Sequence, residues 1–373
     1  MKICHTADTH LGAGDTHSKR GESGLTLRQE DIINSFIEAV DKIIEIKPDV
    51  CIHAGDIFHV VRPTNKIIAI AGEQLHRIAE VHKIPTVIIS GNHDAPKQPT
   101  IGAALDIFSH IDNLYISAGI GLKTFEIGDT KFFAIPHCLT TKIQKEELTK
   151  CVPDKNFKYN ILIMHGVAAG MEEFSMADLG EQELPLKTME QFDYTALGHF
   201  HNYCKVAHRS YYSGSTERLS QSERDAEKGF IVVDLDEFNL RFEKVKSRVM
   251  VDIQPINAAG KRGDQLAQLI KQEVDKVGSS DKIVRLKVQG VSEETLKTLP
   301  TSVLADLKQK SFSLNIAIEK EKSEETLPQF GKSGIGRIDE GFLQFLDLVD
   351  LSGFDKEKLK QEAIKYLAEE ESI

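Results

Sequence analysis

The stretch Thr86-Val87-Ile88-Ile89-Ser90-Gly91-Asn92-His93-Asp94 decides how this chain is read. Thr86 to Ile89 is a short apolar, β-branched run, which predicts a buried strand. Gly91 lets the backbone turn sharply where that strand ends. Asn92 and His93 then offer a neutral oxygen and an imidazole at the carboxyl edge of a sheet, where open α/β folds place ligands. A lone Gly-Asn pair is most often a turn; four other segments give this one its weight. Asp8-Thr9-His10, Gly55-Asp56, His165-Gly166 and Gly198-His199-Phe200-His201 each follow a run that reads as a strand: 2–7, 50–54, 160–164 and 194–197. Five strands ending in metal-binding side chains form the pattern of one composite site.

Asp8 and His10 are two residues apart at a strand edge, so both side chains are expected to point the same way. His199 and His201 repeat that spacing. Asp56 alone offers a carboxylate from a central strand, which suits a bridge between two ions. The simplest partition gives one ion Asp8, His10, Asp56 and His201, and the other Asp56, Asn92, His165 and His199. A nitrogen and oxygen set without thiolate favours manganese, iron, cobalt or zinc over a structural thiolate zinc. Two ions about 3.5–4 Å apart activate a water and clamp phosphoryl oxygens for an in-line displacement. His93 is left over; expelling an alkoxide needs a proton donor, and histidine titrates near neutrality. His93 is therefore expected to be the general acid or a phosphate stabiliser, and His59, three residues after Asp56, to hold the scissile phosphate. His53, His76, His82, His110 and His137 are assigned to the core or the surface.

At 373 residues the chain suits two domains. Apolar content of 40% marks it as globular, and no run of about 18 apolar residues suggests a transmembrane helix. Met1-Lys2 leads straight into a strand without a signal-peptide pattern. Five scattered cysteines without a Cys-x-x-Cys pair read as small buried hydrophobes in a reducing compartment. A net charge of −11 excludes a generally basic nucleic-acid coat, though bound cations and a local basic patch can still attract phosphate.

The loop Leu11 to Gly24 holds His17, Lys19 and Arg20, and reads either as a solvated loop or as a substrate-contacting one. Helices are predicted up to Pro48, over 63–82, over 100–110 and around 141–150, with short alternating strands from 114 to 135 and antiparallel strands over 203–246. Strand–helix alternation followed by hairpins predicts an α/β fold of two mixed β-sheets packed as a sandwich and flanked by helices. The domain 1–248 carries the site. A small α/β unit, 249–320, follows, with helices at 263–277 and 293–307, then a linker over 321–337 and a helical tail over 338–373 suited to docking on a partner.

Asp8-x-His10, Gly55-Asp56, Gly91-Asn92-His93-Asp94, His165-Gly166 and Gly198-His199-x-His201 together resemble the calcineurin-like metallophosphoesterase superfamily. Thr6-Ala7-Asp8-Thr9-His10-Leu11-Gly12, and Gly55-Asp56-Ile57-Phe58-His59 followed by Arg62-Pro63, look like the DNA double-strand-break repair nucleases of the SbcD and meiotic-recombination-eleven type. The resemblance implies two Mn2+ per subunit, 3′-to-5′ exonuclease and single-strand endonuclease activity, and a catalytic role for His93 beside a phosphate-handling His59. It also implies a DNA-capping role for 249–320, binding of an SMC-like coiled-coil ATPase of the SbcC type by 338–373, and a homodimer through the helices at 64–82 and 100–110. The location implied is cytoplasmic and nucleoid-associated. Two other readings stay open: a small-molecule phosphodiesterase or phosphatase on the same scaffold, and a non-catalytic scaffold that binds DNA and an ATPase.

Overall fold

The computed structural model describes residues 1–98, 100–170, 182–321 and 358–360. In chain order the first strands are β1 (Lys2–Thr6), β2 (Val50–His53), β3 (Thr86–Ile89), β4 (Leu114–Ser117), β5 (Lys123–Ile127), β6 (Thr130–Ala134), β7 (Tyr159–His165), β8 (Val167–Ala168) and β9 (Glu183–Leu184). Then come β10 (Tyr194–Gly198), β11 (Cys204–Ala207), β12 (Ser210–Tyr212), β13 (Gly229–Asp234), β14 (Asn239–Lys244), β15 (Met250–Asn257), β16 (Ile283–Val291) and β17 (Ser313–Lys320). Two six-stranded mixed sheets, β14-β13-β1-β2-β3-β4 and β11-β12-β10-β7-β6-β5, make up the sandwich, as the sequence predicts.

The period-2 alternation of the strands builds this layering. Ile3, Ile52, Val87, Ile161 and Ile163 point inward and form the core between the sheets. Cys4, Cys51 and Ile88 point outward beneath two helices, α1 (Leu27–Ile46) and α2 (Asn65–His76). α1 buries Ile32, Phe36, Val40 and Ile43 at helical spacing, starts at a Thr26–Gln29 capping box, and ends at Lys47 in the left-handed conformation just before Pro48. Leu162, Met164 and Leu197 form the outer core of the second sheet. The antiparallel strands of 203–246 divide between the sheets: β11 and β12 extend one, β13 and β14 the other. All five cysteines are free.

Two helix predictions need correction. The segment 100–110 forms only a 3-10 turn, Ala104–Phe108, entered through Gly102 at positive φ; its composition suits a helix, but Leu105 and Phe108 are buried as a short plug, with Phe108 beside Gly72 of α2, while Ile101 and Ile107 stay exposed. The segment 293–307 is two helices, α6 (Glu293–Thr298) and α7 (Thr301–Lys310), because Pro300 forces Leu299 out of helical geometry. Between them in chain order with the earlier helices stand α3 (Thr141–Leu148), α4 (Leu186–Met189) and α5 (Gly263–Val277).

A parallel three-stranded sheet, β15-β16-β17, covered by α5 and α7, has its own core of Ile253, Leu266, Ile270, Val284, Leu286 and Val288. Arg248 seats it: the guanidinium pairs with both carboxylate oxygens of Asp31 and lies 3.6 Å from the centre of the Phe312 ring. Lys19 donates to the carbonyls of Gln309 and Ser311, and His17 packs on Phe312. The loop read from sequence as solvated or substrate-binding therefore docks the small sheet, and Lys19 is occupied there. The chain divides into two units, Met1–Lys320 and Glu321–Ile373. Apart from Glu321 and the helical residues 358–360, the predicted linker and tail lie outside the described residues. Among the described residues no helix is long and apolar enough to cross a membrane.

Two buried histidines in β1 and β2 should make the fold sensitive to acid. Tyr194 donates its hydroxyl to His5 Nδ1 at 2.9 Å while His5 Nε2 donates to the Leu197 carbonyl at 3.2 Å. His53 Nε2 shares a 2.8 Å bond with the Thr9 hydroxyl. Burial pushes both rings down to about 3, whereas in the unfolded chain each takes up its proton near pH 6.5. Between those values the unfolded chain binds more protons, so this stability is complete above about pH 6.5 and is lost as pH falls toward 3, on the order of 4 kcal/mol per ring. Denaturant midpoints of chelator-treated protein should fall steadily from pH 6.5 to pH 4, and His5→Gln/His53→Gln should flatten that slope. An unchanged slope in the double variant would refute the assignment.

Candidate metal centre

The residues singled out in the sequence converge at one edge of the sandwich, where β1, β2, β3, β7 and β10 all end. The means differ from simple strand alternation. β1 stops at Thr6 and β10 at Gly198, and Asp8, His10, Asp56 and His199 have φ of 52°, 49°, 56° and 108°. A left-handed non-glycine residue costs roughly 1–2 kcal/mol, and such strain collects at functional sites. Each of these turns re-aims a side chain that would otherwise follow the strand's up-and-down order. Gly91 is also needed for a different reason than its turn: a Cβ there would lie 2.1 Å from Asp56 Oδ1 and 2.6 Å from the Asp56 nitrogen. Only a glycine admits the close packing of the two loops.

Two donor clusters share Asp56. In the first, His10 Nε2 lies 3.2 Å from His201 Nε2 and 3.5 Å from Asp56 Oδ2, with Asp8 in the same group. In the second, Asn92 Oδ1 lies 2.9 Å from His165 Nε2 and 3.2 Å from His199 Nδ1, and His165 Nε2 is 3.3 Å from Asp56 Oδ2. Asp8 also accepts the His199 backbone N–H on both oxygens, at 2.9 and 3.0 Å, which ties the two clusters together. Asp8, His10, Asp56 and His165 are buried, while Asn92, His199 and His201 are half-buried and form the mouth.

Outer hydrogen bonds fix the ring tautomers. His165 donates Nδ1–H to the Ala54 carbonyl at 2.9 Å, and His201 donates Nδ1–H to Glu223 at 3.1 Å. With Nδ1 taken up in this way, each ring would offer Nε2 to a cation. Lone-pair nitrogens and carboxylate or amide oxygens meeting at these distances suit a divalent cation, and the residues present fit one.

The electrostatics agree. Burial pushes the Asp8 carboxyl up to about 6, with the charge of Asp56 adding to it. Burial alone would raise Asp56 as well, but His165 and His10 hold it well below the usual carboxylate range. Burial opposes charge on His165, yet Asp56 outweighs it and raises the ring to about 9. Burial drives His199 down to about 3 and His10 well below its ordinary value.

His93 and His59 flank the first cluster. His93 donates Nδ1–H to the His59 carbonyl at 3.0 Å, and its backbone N–H donates to Asp56 Oδ1 at 2.9 Å. The two rings stack at 5.1 Å, and His93 meets His10 edge-on at 4.7 Å. His10, His59 and His93 also bring ring nitrogens within reach of one ion. Asp94 clamps this loop by accepting from the Gly91 and Phe58 nitrogens at 2.7 and 3.2 Å.

His53 lies in the core, and His76, His82 and His110 are exposed, as expected. His137 was assigned with them but stands at the site, its ring centre 6.5 Å from that of His165. Its signal was available: Ile135-Pro136-His137 follows β6 just as the candidate ligands follow their strands. Glu223 and Lys228, which grip His201, carried no comparable signal, being distant in sequence and set among other charged residues.

The calcineurin-like phosphoesterase family matches residues 1–203. The chain is 33% identical over 254 residues to the DNA double-strand break repair protein Mre11 of Methanococcus maripaludis, covering 63% of each chain. It is 29% identical over 268 residues to the protein of that name from Methanocaldococcus jannaschii, covering 68% of this chain and 67% of the relative. It is 26% identical over 337 residues to the SbcD component of the nuclease SbcCD from Staphylococcus epidermidis, covering 82% and 84%. The matches thus span about two thirds of the two Mre11 proteins' own length.

Proposed function

This chain belongs to the calcineurin-like phosphoesterase family, and from that premise we propose that it is a DNA nuclease of double-strand-break repair, working on DNA ends with two manganese ions. The observation that carries the reading is the pair of donor clusters joined by Asp56, with His93 and His59 beside the first. These residues would hold divalent ions, which when bound would supply Lewis acidity and an activated water at neutral pH. The chain's own groups do the rest. Asp56 fixes the spacing of the two clusters. His59 and His93 line the approach to the first cluster, where His59 would hold a phosphate oxygen and His93 would deliver a proton to the leaving alkoxide.

A polymeric substrate is favoured by the small sheet docked through the loop that follows Asp8 and His10. Residues 249–320 would cap the DNA there. We assign 3′-to-5′ exonuclease and single-strand endonuclease activity to the domain 1–248, docking of an SMC-like coiled-coil ATPase to 338–373, and homodimer formation to the surface around α2 and Ala104–Phe108. A location in the cytoplasm at the nucleoid accords with that work.

Cleavage of end-labelled linear duplex DNA tests the function. Manganese should support shortening from the 3′ end, magnesium should support less, and chelator should abolish it. Hydrolysis of small phosphodiesters without DNA cleavage would instead assign a small-molecule enzyme. Metal-independent DNA binding without either activity would leave a scaffold.

A further inference from the structure

One short segment faces both the metal centre and the small sheet. Glu223 ends the 3-10 turn Gln221–Glu223. Its Oε1 accepts from His201 Nδ1 at 3.1 Å, and its Oε2 accepts from Lys228 Nζ at 2.5 Å and from the Leu219 nitrogen at 3.2 Å. Lys228 is 2% exposed, and its ammonium also donates to the His201 carbonyl at 2.7 Å and to the Ser215 hydroxyl at 2.9 Å. One buried ion pair therefore grips His201 by its ring and by its backbone. A buried lysine is costly unless fully paired, and here all three protons of the ammonium have acceptors.

The same turn reaches the opposite way. Gln221 donates to Asp252 Oδ1 at 2.8 Å, and Arg224 donates to Asp252 Oδ2 at 2.6 Å. Asp252 lies in β15 and is held from its own sheet by Arg285 at 2.6 and 2.9 Å. Upstream, Glu217 accepts the Arg248 backbone N–H at 2.9 Å and pairs with Arg28 at 3.4 Å, next to the Asp31 contact that seats the sheet. Glu217, Gln221, Glu223 and Arg224 thus lie within eight residues of chain and tie a metal-facing histidine to the small sheet.

We propose that Glu223, backed by Lys228, is the positioning residue for His201, and that the Gln221–Glu223 turn transmits the seating of the small sheet on Asp252 to the metal centre, an inference that rests on the metal reading above. A shift of that sheet moves the turn, turns the His201 ring and weakens the first donor cluster, while the cluster around Asn92, His165 and His199 keeps its partners.

The test is manganese titration of the full chain without DNA, following the free aquo-ion by electron paramagnetic resonance. Glu223→Ala should weaken one of two binding events about 10- to 100-fold, the usual cost of losing an outer partner of a metal-binding histidine. Glu223→Gln, which keeps an acceptor for His201, should recover part of that loss. Asp252→Ala, half-buried in β15 and outside both donor clusters, should weaken the same event several-fold. The double variant Glu223→Ala/Asp252→Ala should bind no more weakly than Glu223→Ala alone, because both act through one element. Glu223→Ala/Lys228→Met removes the stranded buried charge and controls for folding, checked by thermal melting in chelator. Normal manganese affinity in Asp252→Ala, or independent multiplication of the two effects, would overturn the coupling. Normal affinity in both folded Glu223→Ala variants would overturn the positioning role. If the unaltered chain shows no saturable manganese binding, the metal reading falls and the coupling with it.

Discussion

Asp56→Ala should abolish metal retention and cleavage together, the largest loss expected of any single substitution in this chain. Asp56 Oδ2 lies between the two donor clusters, 3.5 Å from His10 Nε2 and 3.3 Å from His165 Nε2. Its other oxygen receives the His93 backbone N–H. Removing the carboxylate takes a ligand from each cluster, frees the loop that carries Asn92 and His93, and deletes the negative charge that the surrounding imidazoles are arranged around. Manganese retained after desalting should fall from two ions per chain toward none. DNA cleavage should fall by a factor on the order of 10³ or more, since each decade corresponds to about 1.4 kcal/mol of a stabilisation worth several. Asp8→Ala makes a useful contrast. It also removes a buried carboxylate that groups with His10 and His201 and with Asp56 and His165, but one whose two oxygens are also taken up by the His199 backbone N–H. It should lose the ion near His10 and His201 first. An Asp56→Ala chain that keeps two tightly held ions would remove Asp56 from the bridging position.

The candidate ligands converge because each follows an apolar strand, and parallel strands deliver their ends to one edge. Asp8, His10, Asp56, Asn92, His165, His199 and His201 needed no knowledge of distant contacts to be found, only of where strands stop. What places them was not legible in the same way. The left-handed backbone at Asp8, His10, Asp56 and His199 has no signature in residue type, because aspartate and histidine also occupy ordinary turns. Gly91 was readable as a turn, but the approach of Asp56 that excludes any Cβ there is a tertiary fact. Lys19 looked free to meet phosphate until the fold brought it to the carbonyls of Gln309 and Ser311, 290 residues and more away in sequence. The helix expected over 100–110 failed because apolar periodicity in a short segment does not distinguish a helix from a plug of 3-10 turn. Pro300, by contrast, was visible in the sequence, and its break between α6 and α7 follows from local sterics alone.

His93→Gln should separate chemistry from metal binding. The His93 ring is fixed by its bond to the His59 carbonyl, stacks on His59 and meets His10 edge-on, which sets it beside the first cluster. Its backbone N–H, which the substitution keeps, still holds Asp56. The variant should therefore retain both ions and bind duplex DNA normally while kcat falls about 10²- to 10⁴-fold, the usual worth of a general acid. The leaving group distinguishes the two roles open to this ring. An alkoxide leaving from DNA needs a proton as it departs, whereas nitrophenolate does not. A proton donor predicts that His93→Gln loses far less on a nitrophenyl phosphodiester than on DNA. A ring that only stabilises the phosphate predicts equal losses on both, because the phosphoryl oxygens are the same in each. Near-normal turnover of DNA by a variant with full metal content would leave His93 with neither role, and would pass the search for the proton donor to His59, the other ring beside the first cluster.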